Sequence, residues 1–440
     1  MTSAAARDRR ALTGLFTADG ISTLGTRMTA LAVPWFVLAS TGSGTLAGVA
    51  VVAELLPYVV VQALGGPVVD RVGAWRTRVG ADLVAGLVVL TVPLLYAAGA
   101  LPFLALLAAL AVTGVLRGCG DTAGFVLVPG AAERSGTPLE RAAGVHDGVR
   151  RTASLVGAPL AGVLIAVTSA PVVLAVDAAT FVVAALVVAW RVPRTVQPPA
   201  VVRDDAAESY LTALREGFRF LRGDRLLLGV ATMVAVTNLL DQAWSAVLTP
   251  TWATEVARSP VALGLVFAAV SGGSVIGNVV AAWLGPRLPR RWTFAVGFVV
   301  GGAPRFAVLA LATSVPPVFA VTLLSGLGAG VLNPILGAVE YERVPRALQA
   351  RVLGATNAVA WVGMPVGGLA AGLGVDHLGL VATLWVAGAT YLLTTAAPFV
   401  FPAWRGMDRA PAGVASTPGA AAGVAAGPSS SAEVGSRPTG

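Results

Sequence analysis

The chain has 440 residues, 56% of them hydrophobic before its 52 glycines are counted, and only 12% are charged, against roughly 25% in soluble domains. That composition excludes a soluble globule. All 30 basic residues are arginine, which also excludes a P-loop, whose lysine binds phosphates, and any Schiff-base attachment of a cofactor.

The apolar residues come in blocks of the length a helix needs to cross hydrocarbon, about 20 residues. Stretches such as "LVAGLVVLTVPLLYAAGALPFLALLAALAVTGVL" do not alternate with period two, so a closed barrel is excluded and helices remain. The expected spans are 12–38, 46–68, 79–99, 102–127, 147–168 and 171–190, then 226–250, 260–284, 292–312, 316–338, 350–374 and 379–401. The fold class is therefore all-α and integral to the membrane, with twelve transmembrane helices in two pseudo-symmetric six-helix halves.

The connections divide the chain. Residues 1–11 form an N-terminal segment, 12–190 the first half, 191–225 a linker, 226–401 the second half and 402–440 a tail rich in Ala, Gly, Pro and Ser that reads as disordered. Arginines recur in every second connection. Three (Arg27, Arg117 and Arg305) are assigned to the membrane interior, Arg258 alone to one side, and the remaining 26, those at span ends included, to the other. That asymmetry marks the arginine-rich face as cytoplasmic. It predicts a multi-pass plasma-membrane protein with both termini in the cytoplasm. The basic balance, +8 overall, reflects these loops and not a nucleic-acid surface. In the linker, Leu211, Leu214, Phe218 and Leu221 recur at helical spacing with arginines between them. They predict an amphipathic helix on the cytoplasmic membrane face.

An internal repeat supports the two halves. "GAPLAG" in span 5 (Gly157, Pro159, Gly162) returns as "GMPVGG" in span 11 (Gly363, Pro365, Gly367). The prolines remove a backbone hydrogen bond and suit a kink or hinge. The glycines equally suit close helix packing, as do Gly273/Gly277 and Gly326/Gly330. Two repeated halves are a common transporter plan, with the substrate site between them near mid-membrane.

A charge at mid-membrane costs about 2.5–3.5 kcal/mol and is a functional candidate by default. Span 1 carries Asp19, Ser22, Thr23 and Thr26 at helical spacing, with Arg27 beside them; span 4 carries Thr113, Arg117 and Asp121; span 7 carries Asn238, Asp241, Gln242 and Ser245; and span 2 carries Glu54. Such stripes suit a wet cavity. Arg117 and Asp121 also fit a structural i,i+4 pair, and Arg27 a structural counter-ion. Asp19 and His146, near span ends, read as solvated, and Asp177 and Arg305 as structural. Asp241 is the expected coupling group, exchanging a proton as Arg27 or Arg117 approaches and withdraws.

The loop between spans 2 and 3, "GGPVVDRVGAWRTR", resembles the signature loop of the major facilitator superfamily through Gly66, Asp70, Arg71, Gly73, Arg76 and Arg78. Ala74-Trp75 departs from it, since basic residues usually follow the glycine at once. The segment from "ISTLGTRMTALAVPWF" through that loop, the linker "LREGFRFLRGDRLL" and the two Gly-x-Pro motifs resemble the drug-and-siderophore exporter branch that includes macrolide-efflux-like permeases. The resemblance covers roughly residues 10–400. It implies a cavity lined by spans 1, 4, 7 and 10, a cytoplasmic gate at the signature loop with Asp70 against the start of span 11, and alternating access. The expectation is a proton-coupled exporter, an antiporter of a small amphiphilic drug or natural product. It would act as a monomer in the lipid bilayer, without cofactor, metal, nucleic acid or enzymatic activity. A slight acidic excess among the candidate residues favours cationic or neutral substrates. An importer of a small metabolite is the alternative, followed by a non-transporting receptor or scaffold.

Overall fold

The computed structural model describes residues 2–64, 66–196, 210–284, 287–345 and 348–408. Among these, twelve helices are long and apolar enough to cross a membrane. The first half holds Arg9–Thr41, Gly44–Gln62, Ala74–Ala97, Phe103–Ser135, Arg141–Val167 and Ala170–Arg191. The second holds Arg225–Glu255, Pro260–Ala281, Arg290–Leu311, Val315–Glu340, Arg351–Leu378 and Leu380–Val400. We number these spans 1 to 12. Several extend beyond the apolar block into charged turns, as span 4 does to Ser135, because a helix continues wherever its backbone bonds are satisfied.

The halves differ in regularity. Spans 1 to 6 are continuous, although Pro34, Pro57, Pro93, Pro129 and Pro159 lie inside their helices. In the second half, span 7 contains a π turn at Trp244–Leu248. Span 9 breaks at Gly302 and resumes as Ala303–Leu311; span 10 breaks at Val331; span 11 breaks at Gly363 and restarts as Met364–Leu378, with Pro365 in the first turn where its missing N–H is harmless. The repeated Gly-x-Pro motif thus interrupts span 11 but not span 5.

Glycines set the closest approaches. Gly273 and Gly277 of span 8 meet the backbone of span 10 at Leu323 and Leu327, while Gly326 and Gly330 of span 10 meet Val270 and Ser274. Gly157 lies against span 1 at Leu24 and Arg27, and its repeat partner Gly363, with Gly367, lies against span 7 at Leu239. Gly114 and Gly118 of span 4 abut the backbone of Glu54 and Tyr58 in span 2. A side chain at either would hold the two helices apart.

The linker helix, Tyr210–Gly223, does not simply lie on lipid. Its Leu221 is buried against Leu227, Ala231, Val344 and Val352, and Gly217 meets the backbone of Arg351. The apolar face is turned onto spans 7 and 11. The side chains of Leu211 and Leu214 lie outside the described residues, as does the tail beyond 408. Asp224 then caps span 7, accepting from the N–H of Leu226 at 2.9 Å and of Leu227 at 3.1 Å, as an N-cap aspartate does.

Candidate functional site

A cavity of about 560 Å³ lies between the halves, within the roughly 300–1,000 Å³ range of small-molecule sites. Span 1 supplies Ser22, Thr23, Thr26 and Arg27, span 2 Glu54 and Tyr58, and span 4 Arg117 and Asp121. Span 5 adds Arg150 and Ser154, span 7 Asn238, Gln242 and Ser245, span 8 Phe267 and Ser271, and span 11 Trp361 and Met364. Among the described residues span 10 contributes none and span 11 contributes two. A larger groove, about 1090 Å³, opens between the linker helix and the ends of spans 7, 10 and 12. It is a surface feature at the arginine-rich face and does not reach the transmembrane polar groups.

The charged wall belongs to the first half. Arg117 and Glu54 form an ion pair across spans 4 and 2, made possible by the close approach at Gly114 and Gly118. Arg117 therefore does not pair with Asp121. Asp121 instead accepts from the Tyr58 hydroxyl at 3.0 Å, and Gln62 Nε2 donates to that hydroxyl oxygen at 2.9 Å. Arg150 approaches Asp121 at 3.9 Å, with its guanidinium over the Phe125 ring. Arg27 donates from Nε to the Ser154 hydroxyl at 3.1 Å. It forms no ion pair among the described residues.

Two further stripes contribute Glu54, Tyr58, Arg150 and Ser154 to the lining. Glu54, Tyr58 and Gln62 recur at i, i+4, i+8 on span 2, and His146, Arg150 and Ser154 do the same on span 5. By sequence Arg150 reads as a loop residue, because it stands among loop arginines; the helical spacing was the signal that could have found it. His146 is not a solvated surface histidine. It is buried, 2.7 Å from Asp19. Asp19 is buried too. It is paired with Arg78 at 2.8 Å, and Arg78 also binds Asp82 at 2.8 Å. This cluster ties spans 1, 3 and 5 together behind the cavity.

Arg78 is thus a buried ion-pair residue and not an exposed loop cation, while Arg71 and Arg76 are exposed. Gly73 has φ of 91°, a conformation that glycine alone enters freely, and it turns the chain into span 3. Trp75, the departure from the family pattern, donates its indole N–H to the Val192 carbonyl at 2.8 Å, with Arg194 stacked 4.7 Å from its ring centre. The Asp70 side chain lies outside the described ones. A Cβ added at Gly66 would meet nothing within 4 Å.

Asp241 does not line the cavity. It pairs with Arg305 of span 9. Arg305 is enclosed by Trp244 at 4.8 Å, Phe306 at 5.3 Å and Tyr391 at 5.5 Å. Neither Arg27 nor Arg117 pairs with Asp241 in the state described here. On a helix Asp241 falls about 60° to one side of Asn238 and Gln242 about 40° to the other. Only Gln242, at the nearer edge, reaches the cavity. Asn238 lines it while donating to the Ala360 carbonyl at 2.9 Å. With Asp241 outside and Arg150 inside, the cavity holds Arg27, Arg117 and Arg150 against Glu54, Asp82 and Asp121. The expected acidic excess is gone.

At the arginine-poor end the halves close on each other. Gly48 meets the backbone of Gly368, Gly372 meets that of Gly44, and Gly162 meets Gly264. Asp376, at the end of span 11, caps span 2 across this junction. It accepts from the Ser43 hydroxyl at 2.8 Å and from the N–H groups of Gly44 at 2.8 Å and Thr45 at 2.9 Å. No motif signals this residue; its partners are more than 300 positions away in sequence.

The family model of the Major Facilitator Superfamily matches residues 15–243 and 233–431. The chain is 28% identical over 391 residues to the multidrug efflux pump Tap of Mycobacterium tuberculosis, covering 88% of this chain and 92% of that protein. It is 30% identical over 393 residues to Tap of Mycolicibacterium fortuitum, covering 88% and 94%. Among solved structures, the nucleoside transporter NupG superposes with a TM-score of 0.67 at 13% identity, covering 89% of this chain and 99% of that one. A bacterial homologue of the human lysosomal transporter Spinster, in an inward-facing and unoccupied conformation, gives 0.64 at 14% identity, covering 92% and 99%. These two likenesses concern the fold alone. With the family model spanning both six-helix halves and relatives matching most of the chain, this multi-pass membrane protein belongs to the Major Facilitator Superfamily.

Proposed function

We propose that the protein is a proton-coupled exporter of small amphiphilic drugs or natural products, working by alternating access in the plasma membrane. It acts as a transporter and not as an enzyme. The observation that carries this reading is the cavity: one wall holds ion pairs and Arg27, which has no ion pair among the described residues, and the opposite wall is amide and aromatic. A site of that kind accepts an apolar body with a polar handle and supplies a charge pair that protonation can rearrange. The sequence relatives named as multidrug efflux pumps support export over the alternative of import.

The arginine-rich face is taken as cytoplasmic. The closed arginine-poor end then corresponds to a cytoplasm-facing state, with Asp376 as the extracellular latch. Both termini and the linker helix are cytoplasmic, and one monomer is sufficient. Coupling is assigned to the Glu54–Arg117 pair, not to Asp241. A proton on Glu54 releases Arg117, and a deprotonated Glu54 recaptures it. Only interactions that differ between the two end states can shift their populations.

The test is transport by purified protein in proteoliposomes, screened against lipophilic cations, macrolides and zwitterionic antibiotics. We expect substrate to accumulate against its gradient when a proton gradient is imposed, and an uncoupler to abolish the accumulation. Accumulation indifferent to the uncoupler would overturn proton coupling. Absence of any gradient-driven movement across the whole panel would favour a receptor or scaffold.

A further inference from the structure

Behind the Glu54–Arg117 pair lies a second, much smaller space of about 10 Å³, close to the volume that admits one water. Glu54 and Arg117 line both this space and the central cavity, so they form the partition between them. The third charged group at the small space is Asp177 of span 6, which is 1% exposed.

The surroundings of Asp177 are poorly suited to a carboxylate. The Thr29 hydroxyl donates to Oδ2 at 2.6 Å. The Thr180 hydroxyl, 3.2 Å from Oδ1, also donates to the Asp177 carbonyl at 2.7 Å. Span 3 presents only the apolar Val89 and Val92 to this space. The charged groups that face it are Glu54 from span 2 and Arg117 from span 4. Arg117 is already paired with Glu54, and Asp177 has no ion pair among the described residues. An ionised carboxylate buried without a cation costs several kcal/mol, a cost removed by a proton. The arrangement is therefore one arginine between two acids, with the ionised acid in contact and the other acid isolated.

We propose that Asp177 and Glu54 share one transported proton, and that Arg117 changes partner as the proton passes between them. In the state described here the proton is on Asp177. Its O–H bond breaks toward a water in the small space, and that water gives one of its own protons to a Glu54 oxygen. Charge is conserved: Glu54 becomes neutral and Asp177 becomes the carboxylate that Arg117 then holds. Glu54, freed of its partner, faces the central cavity and can exchange its proton with the side to which the cavity is open. Asp177 is thus a storage site sealed from both substrate and lipid.

The inference rests on the proton-coupled reading above, so the test includes a measurement that needs no substrate. Infrared spectra of the full-length protein at neutral pH report the carbonyl band of a protonated carboxylic acid. We expect Asp177→Asn to lose one such band, and Glu54→Gln, which frees Arg117 to hold Asp177 as a carboxylate, to weaken it. Thr29→Val, which keeps the acid and removes its best donor, should shift the band's position and its pH midpoint. This milder variant serves if Asp177→Asn does not fold. In proteoliposomes Asp177→Asn should lose proton-driven accumulation while keeping substrate counterflow. Uncoupler-insensitive transport by the unmodified protein would overturn the coupled reading and this proposal with it. Proton-driven transport by the unmodified protein, with spectra unchanged by Asp177→Asn or Thr29→Val, would overturn the proposal alone.

Discussion

The two halves of the molecule share a fold and a repeated motif but divide the chemistry between them. The first half has continuous helices, and its charged groups turn inward: Glu54, Arg117, Asp121 and Arg150 all reach the cavity. The second half has interrupted helices and offers Asn238, Gln242, Phe267 and Trp361 to the same space. Its own acid, Asp241, pairs with Arg305, whose guanidinium lies among aromatic rings. Matching polar spacing on spans 1 and 7 therefore does not imply matching roles. One half lines the cavity with charged groups, and the other with neutral polar and aromatic ones.

The largest expected effect tests the charged half. Arg117→Gln leaves Glu54 unpaired in a low-dielectric site, and breaking such a pair typically costs about 3–5 kcal/mol. We expect a clear loss of thermal stability together with loss of gradient-driven transport. The double variant Glu54→Gln, Arg117→Gln should recover much of the stability without recovering transport. Recovery of both, seen by thermal melts and proteoliposome uptake, would mean the pair is only structural.

A smaller effect is expected at the latch between the halves. Asp376→Ala removes the acceptor of one hydroxyl and two backbone N–H groups. Loss of an N-cap is worth about 0.5–2 kcal/mol. If that energy belongs only to the closed state, the population with an open arginine-poor end rises by roughly 2- to 30-fold. Spin-label distances between Thr41→Cys and Leu378→Cys report it. Unchanged distances would place the latch outside the transport cycle.

Asp241→Asn sharpens the contrast between halves in a different way. It should lower thermal stability modestly, since Arg305 is buried and loses its anionic partner. The pH profile of transport should not move. A shifted profile would make the second half a participant in coupling and would break the division of labour. The smallest effect belongs to Gln242→Ala. A single hydrogen bond to substrate is worth about 0.5–1.5 kcal/mol, so the apparent KM should change by roughly 2- to 10-fold with the proton dependence intact.

Much of the architecture follows from the sequence alone. Twelve apolar blocks and the alternation of arginine-rich connections locate the spans, because lipid allows a backbone only helices or closed barrels and the blocks lack a barrel's period of two. The glycine pairs and Gly-x-Pro repeats foretell where helices touch, since only glycine lets two backbones approach so closely. The polar stripes of spans 1, 4 and 7 foretell a cavity.

The partners of the charges were decided by the tertiary structure. Periodicity says which residues share a face but not how each helix is rotated toward its neighbours, and helices that are apolar on nearly every side carry little rotational information of their own. Thus Arg305 on span 9 takes Asp241, Glu54 on span 2 takes Arg117, and His146 is drawn inward to Asp19. The latch at Asp376 depends on the two halves meeting at one end. That contact joins residues more than 300 positions apart, and only the packing of Gly48 on Gly368 and Gly44 on Gly372 brings the carboxylate to the start of span 2. Burial finally distinguishes acids that look alike in sequence. Asp121 lines the central cavity with a hydroxyl partner, whereas Asp177 is sealed between spans 1, 3, 4 and 6 beside an Arg117 that is already paired with Glu54.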